Sequence, residues 1–386
     1  MSSPLPLTLR VHRAITELPR GAWDGLLDDE AVPFLEWAFL AALEQSGSVM
    51  PERGWHPRHL TLWRGSRLVA AAPAYLRDDS EGEFVFDGAW ATAAGRVGLR
   101  YYPKLVLTVP FTPATGRRVL VAPGEDRAAR EQELYAAALE YARSERVSGL
   151  HVLFHTQAEG AGLEAAGFAL RLGVQYQWHN QGYRTREDFL DRFHSKRRNQ
   201  LRRELRALEA QGITVRTLRG DALQELDPAE LYRLYASTVD KYPWGRRFLT
   251  QDFFARMLST FRHRCEFVEA RKEGRRIAGA FNLASPTVLY GRYWGCFEEH
   301  PFLHFNVCLY HPVEEAISRG LRRFEPGAGG EHKLTRGFAP HYTYSAHLLL
   351  HPGLDRAVRA FLSQEQAAVR AGLPRWQAET GFKEEG

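Results

Sequence analysis

Gly65-Ser66-Arg67-Leu68-Val69-Ala70-Ala71 returns further along the chain as Gly274-Arg275-Arg276-Ile277-Ala278-Gly279-Ala280. In both places a Gly turn with basic residues separates two strand-like runs. The pairs are His59–Trp63 with Leu68–Leu76, and Cys265–Ala270 with Arg276–Leu283. Each pair reads as an antiparallel hairpin. Working outward, each hairpin is followed by a helical stretch, a Gly-Leu, a short strand and a Gly-Phe. These are Gln132–Arg146, Gly149-Leu150, strand to Phe154 and Gly167-Phe168 in the first half. In the second they are Phe305–Arg319, Gly320-Leu321, strand to Phe324 and Gly337-Phe338. A repeat of this length signals duplicated domains; solenoid periods are only ~20–50 residues. Each half reads as an α+β unit, a mixed and largely antiparallel sheet flanked by helices.

The boundary falls near Asn180-Gln181-Gly182, dividing the chain into 1–180 and 181–386. The first half carries an insert, 77–127, rich in Gly, Pro, Tyr and Trp. Just beyond the boundary a basic helix is expected over about 186–210, with Leu190, Phe193, Leu201, Leu205 and Leu208 on one face. Arg198, Arg202 and Arg206 form a cationic stripe beside it, with Lys196 and Arg203 nearby, and Gly212 is placed to end it. A final helix is expected over 354–370, with a loosely held tail from Pro374.

With 386 residues, 44% hydrophobic and 25% charged, the chain has the balance of a folded multi-domain protein, which excludes a disordered or disulfide-stapled one. No apolar run approaches the ~20 residues of a membrane helix. The opening residues Met1–Val11 show no secretory pattern, and three cysteines without CxxC spacing fit a reducing compartment. These features place the protein in the cytoplasm. The net charge of +5 hints at an anionic partner without choosing one.

The densest chemistry lies in Phe324–Phe338. It leaves a strand through Gly327, Gly329 and Gly330 and then presents Glu331, His332, Lys333 and Arg336. Glycines let backbone approach a ligand. A carboxylate or imidazole can take a proton, and Lys with Arg can hold phosphate or an oxyanion. The plain alternative is a solvated surface loop. Glu325 opens this segment. Tyr242 and Trp244 beside Arg246 and Arg247 can clamp a planar group, or simply cap a core. Arg292 stands among aromatics in a Gly-interrupted strand, Leu289–Cys296, where glycine suggests a bulge. His304, Cys308, His311 and Glu315 share a helix face, but Pro312 interrupts it and no standard metal-ligand spacing accompanies them, so no metal is expected. His304 alone is a candidate donor or base.

Several strings together resemble the FemAB-like predicted N-acyltransferases of the Fem branch of the GNAT superfamily. They are Gln175–Asn180, Ser195–Glu204, Leu289–Gly295, Leu303–Phe305 and Phe324–Phe338. The resemblance implies two tandem GNAT-like domains with a ligand cleft between them. It also implies transfer of an acyl or aminoacyl group from acyl-CoA or aminoacyl-tRNA, used as a co-substrate with no tightly bound cofactor. The acceptor it implies is an amine, on a cell-wall precursor or a small molecule. Fem enzymes carry an aromatic-Lys pair just before a Phe-Gly, and His332-Lys333 or Thr335-Arg336 stands in that place. The tRNA-binding coiled-coil arm of several Fem enzymes has no counterpart of its size in this sequence. On this reading Glu331 or His332 takes the amine proton, and Lys333 with Arg336 stabilises the oxyanion. Lys196, Arg198, Arg202, Tyr242, Trp244, Arg292, His304 and Glu325 bind donor or acceptor. Two other classes stay open at this point: a non-catalytic module for peptides or cell-wall fragments, and nucleic-acid binding through the basic helix.

Overall fold

A computed structural model describes residues 6–383 except Trp244. The chain forms two compact units. One runs to Gly173 and takes back Tyr342–Val369; the other comprises Val174–His341 and the chain from Arg370 onward.

The first unit holds β1 (Leu7–His12), β2 (Trp55–Pro57), β3 (His59–Arg64), β4 (Arg67–Ala72), β5 (Ala74–Arg77), β6 (Lys104–Leu107), β7 (Leu120–Val121) and β8 (Gly149–His155). The expected hairpin is β3 with β4, antiparallel from Leu60↔Ala72 to Arg64↔Arg67. The run read as Leu68–Leu76 breaks at Pro73, which has no N–H to give to a ladder. β5 therefore leaves β4's sheet and pairs with β2 and β6. The helix Arg127–Ser144 packs Leu134, Tyr135, Ala138 and Ala142 into a core with Leu60, Val69, Leu105 and Leu150. The 77–127 insert is pinned by Lys104, which is 1% exposed and donates to Glu83 at 2.7 Å and Asp87 at 2.5 Å.

β9 (Ala169–His179) carries the chain into the second unit. There β10 (Ile213–Arg219), β11 (Cys265–Lys272), β12 (Arg275–Ala284), β13 (Val288–Cys296) and β14 (Arg323–Glu325) follow, and β15 (Ala339–Leu349) leads back. The second hairpin is β11 with β12, with Gly274 at φ +75° in its turn.

The duplication survives as one pairing pattern. In the first unit β5 is antiparallel to β6, β6 parallel to β8, and β8 antiparallel to β15. In the second β12 is antiparallel to β13, β13 parallel to β14, and β14 antiparallel to β9. The closing strands are exchanged. β9 follows β8 in sequence but pairs with β14 through Phe324↔Trp178, while β15 follows β14 and pairs with β8. Each of the two repeats is thus closed by a strand that belongs, in sequence, to the other.

Two helix expectations change. The basic stretch is not one helix: Arg186–Leu190 and Ser195–Arg206 are separated by a turn in which His194 is extended at ψ 150°. The turn lets Leu190, Phe193 and Leu201 all reach one core cluster, which a straight helix with Arg197 in its apolar stripe would not do. Gly212 does end the stretch at φ +68°. The last helix extends over Pro352–Ala378, and the tail beyond it is held: the Phe382 ring packs at a tilt 4.7 Å from that of Phe193, and the Lys383 amide donates to the Arg192 carbonyl at 2.8 Å.

Glycine at 295 is a packing requirement. A Cβ there would lie 1.7 Å from the Leu234 carbonyl oxygen, where β13 meets the helix Pro228–Val239. Gly295→Ala is expected to destabilise the protein by about 2–4 kcal/mol, read as a lower denaturation midpoint. An unchanged midpoint would mean that this contact relaxes freely.

Candidate active site of the second unit

Three local irregularities build the site. The first is a bulge in β13: Phe281 pairs with Tyr293 and Asn282 with Gly291, so Arg292 is the extra residue. Beside it, β13 and β14 pair only through Val288–Tyr290. The second is the exit from β14, where Gly327, Gly329 and Gly330 adopt φ of +90°, +69° and +89° before a tight turn, Glu331–Arg336. Side chains other than glycine rarely accept such angles. The third lies in the helix after β13. It begins at Leu303–Phe305, widens to a π turn at Asn306–Tyr310 and resumes at His311–Ser318. Pro312 has no N–H to give to the Cys308 carbonyl, and its ring would collide with that carbonyl in a regular α-turn; the wider turn accommodates both.

A buried ion pair joins these segments. Glu204, 2% exposed on the helix Ser195–Arg206, accepts from Arg336 Nη2 at 2.9 Å, from Gln200 Nε2 at 2.9 Å and from the Tyr310 hydroxyl. Arg336 also donates through Nε to the Tyr310 oxygen at 2.8 Å and through Nη1 to the His332 carbonyl at 2.9 Å. Its guanidinium lies 3.5 Å from the Phe305 ring centroid. Asn306 ties the π turn to the Glu204 carbonyl at 2.9 Å. Each of the three side-chain nitrogens of Arg336 therefore donates to the surrounding architecture.

Lys333 is different. It is 6% exposed, and Nζ donates to the carbonyls of Gly327 at 2.8 Å and Ala328 at 3.4 Å. Among the described residues no carboxylate offsets its charge, and burial pulls its pKa down to about 8. Two imidazoles stand close by. His304 packs edge-on to Trp294 at 5.1 Å and to His332 at 5.7 Å. Burial, followed by the charges of His332, Lys333 and Arg336, lowers His304 to about 4. His332 is shifted down by burial and then by Lys333 and Arg336, yet remains exposed. A compact cation therefore lies beside two imidazoles that are neutral at neutral pH. This arrangement can steady a developing oxyanion and accept a proton.

Of the residues singled out in sequence, His304, His332, Lys333 and Arg336 come together here. Glu331 is exposed at the start of the turn. Glu325 is buried, with its carboxyl 2.9 Å from Arg323, and burial raises its pKa against the pull of Arg323 and Arg292. Arg292 lies over the Tyr293 ring at 5.5 Å. Arg198 and Arg202 bond to Asp191 at 3.1 Å and Glu187 at 2.6 Å, and Lys196 is exposed. Tyr242 is exposed, and Trp244 lies outside the described residues. On the helix face considered for a metal, His311 bonds to Thr217 at 2.9 Å and Glu315 to Arg219 at 2.6 Å. Among the described residues no group of three or more His, Cys, Asp or Glu is arranged to hold a metal ion. Sequence reasoning missed Glu204, Tyr310 and Asn306. The one available signal was Glu204, the single acid within the basic run Lys196–Arg206.

The sequence matches the FemAB-like family, described as peptidoglycan biosynthesis/recognition, over residues 14–384. The chain belongs to that family. Among solved structures it is similar in fold to FemX, at 12% identity and TM-score 0.52, covering 92% of this chain and 100% of FemX. It is also similar to the C-terminal domain of an Agrobacterium fabrum protein assigned as a lysylphosphatidylglycerol synthetase. That match has 11% identity and TM-score 0.51, covering 90% and 95% of the two chains. No curated protein sequence matches. Among the described residues of this FemAB-like chain, no helix is long and apolar enough to cross a membrane.

Removing the Glu204 carboxylate would strand the Arg336 charge inside the unit. Glu204→Ala is expected to cost about 3–5 kcal/mol in denaturant unfolding, and Glu204→Gln less, because its amide oxygen can still accept. Equal, small losses for both would deny the pair its structural role.

Proposed function

We propose that the second unit catalyses N-acyl transfer from an activated ester to an amine, with Lys333 steadying the oxyanion and His332 taking the amine proton. The observation that carries this reading is the buried Lys333 ammonium, without a carboxylate partner, beside neutral imidazoles. The amine nitrogen attacks the acyl carbon, a C–N bond forms, and the carbonyl oxygen takes up negative charge. The Lys333 ammonium donates to that oxygen. His332 accepts the ammonium proton of the intermediate and returns it to the departing ester oxygen as the C–O bond breaks. His332 suits this task better than His304, whose pKa of about 4 makes it a weak base at neutral pH. His304 packs against the His332 ring and is a positioning residue. Arg336 is another, acting through Glu204 and Tyr310.

An oxygen ester is the linkage of an aminoacyl-tRNA; with an acyl-CoA thioester the same step would break a C–S bond and return the proton to sulfur. The family description supports an acceptor amine on a peptidoglycan precursor.

With a donor and acceptor pair that turns over, Lys333→Ala is expected to lower kcat by roughly 10²–10³, equivalent to about 3–4 kcal/mol. His332→Ala is expected to lower it by at least roughly 10². Unfolding midpoints of both variants serve as the control for folding. Folded variants with wild-type kcat would move the chemistry away from this turn.

A further inference from the structure

A second polar cleft lies in the same unit and has no part in the transfer scheme. It holds about 730 Å³ and is walled by the end of β9, the start of β15 and the chain after the last helix. That volume lies within the range of small-ligand pockets, ~300–1,000 Å³. His179 and His341 stack in its wall, with centroids 4.3 Å apart and planes at 28°. Gln177, 6% exposed, shares a 3.2 Å hydrogen bond with His179 Nε2, leaving Nδ1 for another partner. Gln181 accepts the Tyr183 hydroxyl at 2.9 Å and keeps its amide donors. The indole N–H of Trp178, a wall residue only 1% exposed, has no partner in the protein. Buried donors of this kind are rarely left unsatisfied, so something that accepts a hydrogen bond belongs beside it.

The wall sets the chemical class. Among its described residues there is no Asp or Glu, and its lysine, Lys383, already donates to the Asp191 carbonyl at 2.8 Å. Burial is the first cause lowering both imidazoles, His179 to about 4, so the pair is neutral at neutral pH. A neutral imidazole and a primary amide each offer both a donor and an acceptor. The groups that satisfy both at a single atom are hydroxyls. Phe382, half-buried in the wall, adds aromatic surface for the apolar face of a ring.

We infer that this cleft binds an uncharged, hydroxyl-rich ring, the chemistry of a saccharide, through Gln177, Trp178, His179 and His341. The site does not depend on the transferase reading, because none of these residues belongs to the Lys333 cluster.

The test is a calorimetric titration of the full chain with N-acetylglucosamine and, separately, with inorganic pyrophosphate. Saturable binding of the sugar is expected, weakened at least about tenfold in His341→Ala. His179→Phe keeps a ring in the stack, removes its nitrogens and is expected to show the same loss. Lys333→Ala is expected to bind the sugar like the wild type. No saturable sugar binding, tighter binding of pyrophosphate than of the sugar, or sugar binding unchanged in folded His179→Phe would each overturn the inference.

Discussion

The second unit depends on the buried Arg336–Glu204 pair. Three left-handed glycines precede the tight turn that carries Lys333. Arg336 fixes the far end of that turn to Glu204, while Tyr310 of the π turn donates to the same carboxylate. One carboxylate thus registers three segments distant in sequence. Ion pairs of this kind gain little net stability over apolar packing, but losing one partner is costly, so they fix geometry more than they add stability.

That geometry gives Lys333 its character. Its pKa falls from 10.5 to about 8 because burial penalises the ammonium and no carboxylate compensates. Keeping it charged at neutral pH costs the fold about 3 kcal/mol. The cost is present below the folded pKa and is relieved as pH rises from about 8 toward the unfolded value, a window in which the unfolded chain binds the extra proton. A cation held this way is poorly solvated and positioned before substrate arrives, which makes an anion appearing beside it a strong partner. The two nearby imidazoles, kept neutral by the same burial and charge, do not compete for that anion.

Much of the fold was legible because it is written locally. Gly65 and Gly274 mark hairpin turns, and the alternation around them sets the strands. The exchange of β9 and β15 was not legible, since either closing strand satisfies its own hydrophobic pattern beside either neighbour. The break at Asp191–His194 was hidden by leucine spacing that continues across it. Pro312 announced a disturbed helix, but its answer, a π turn that swings Tyr310 toward Glu204, depends on a partner 106 residues away. The Gly-rich segment and its Lys and Arg stood out because glycines before a cluster of charge are a local signal. The different duties of the two cations were invisible: Glu204 decides them, and it sits in a run that reads as a solvated basic helix.

The central claim is that Lys333 works as an ammonium, and the pH dependence of kcat for wild type and Lys333→Arg tests it most directly. A group that must stay protonated makes the rate fall as pH rises through its pKa. Wild-type kcat should fall through pH of about 8, as the pKa of Lys333 requires. The guanidinium of Lys333→Arg stays charged, so the same limb should vanish in that variant, even if its plateau is lower. A limb that persists unchanged in Lys333→Arg, or a wild-type rate that keeps climbing through this range, would contradict the account.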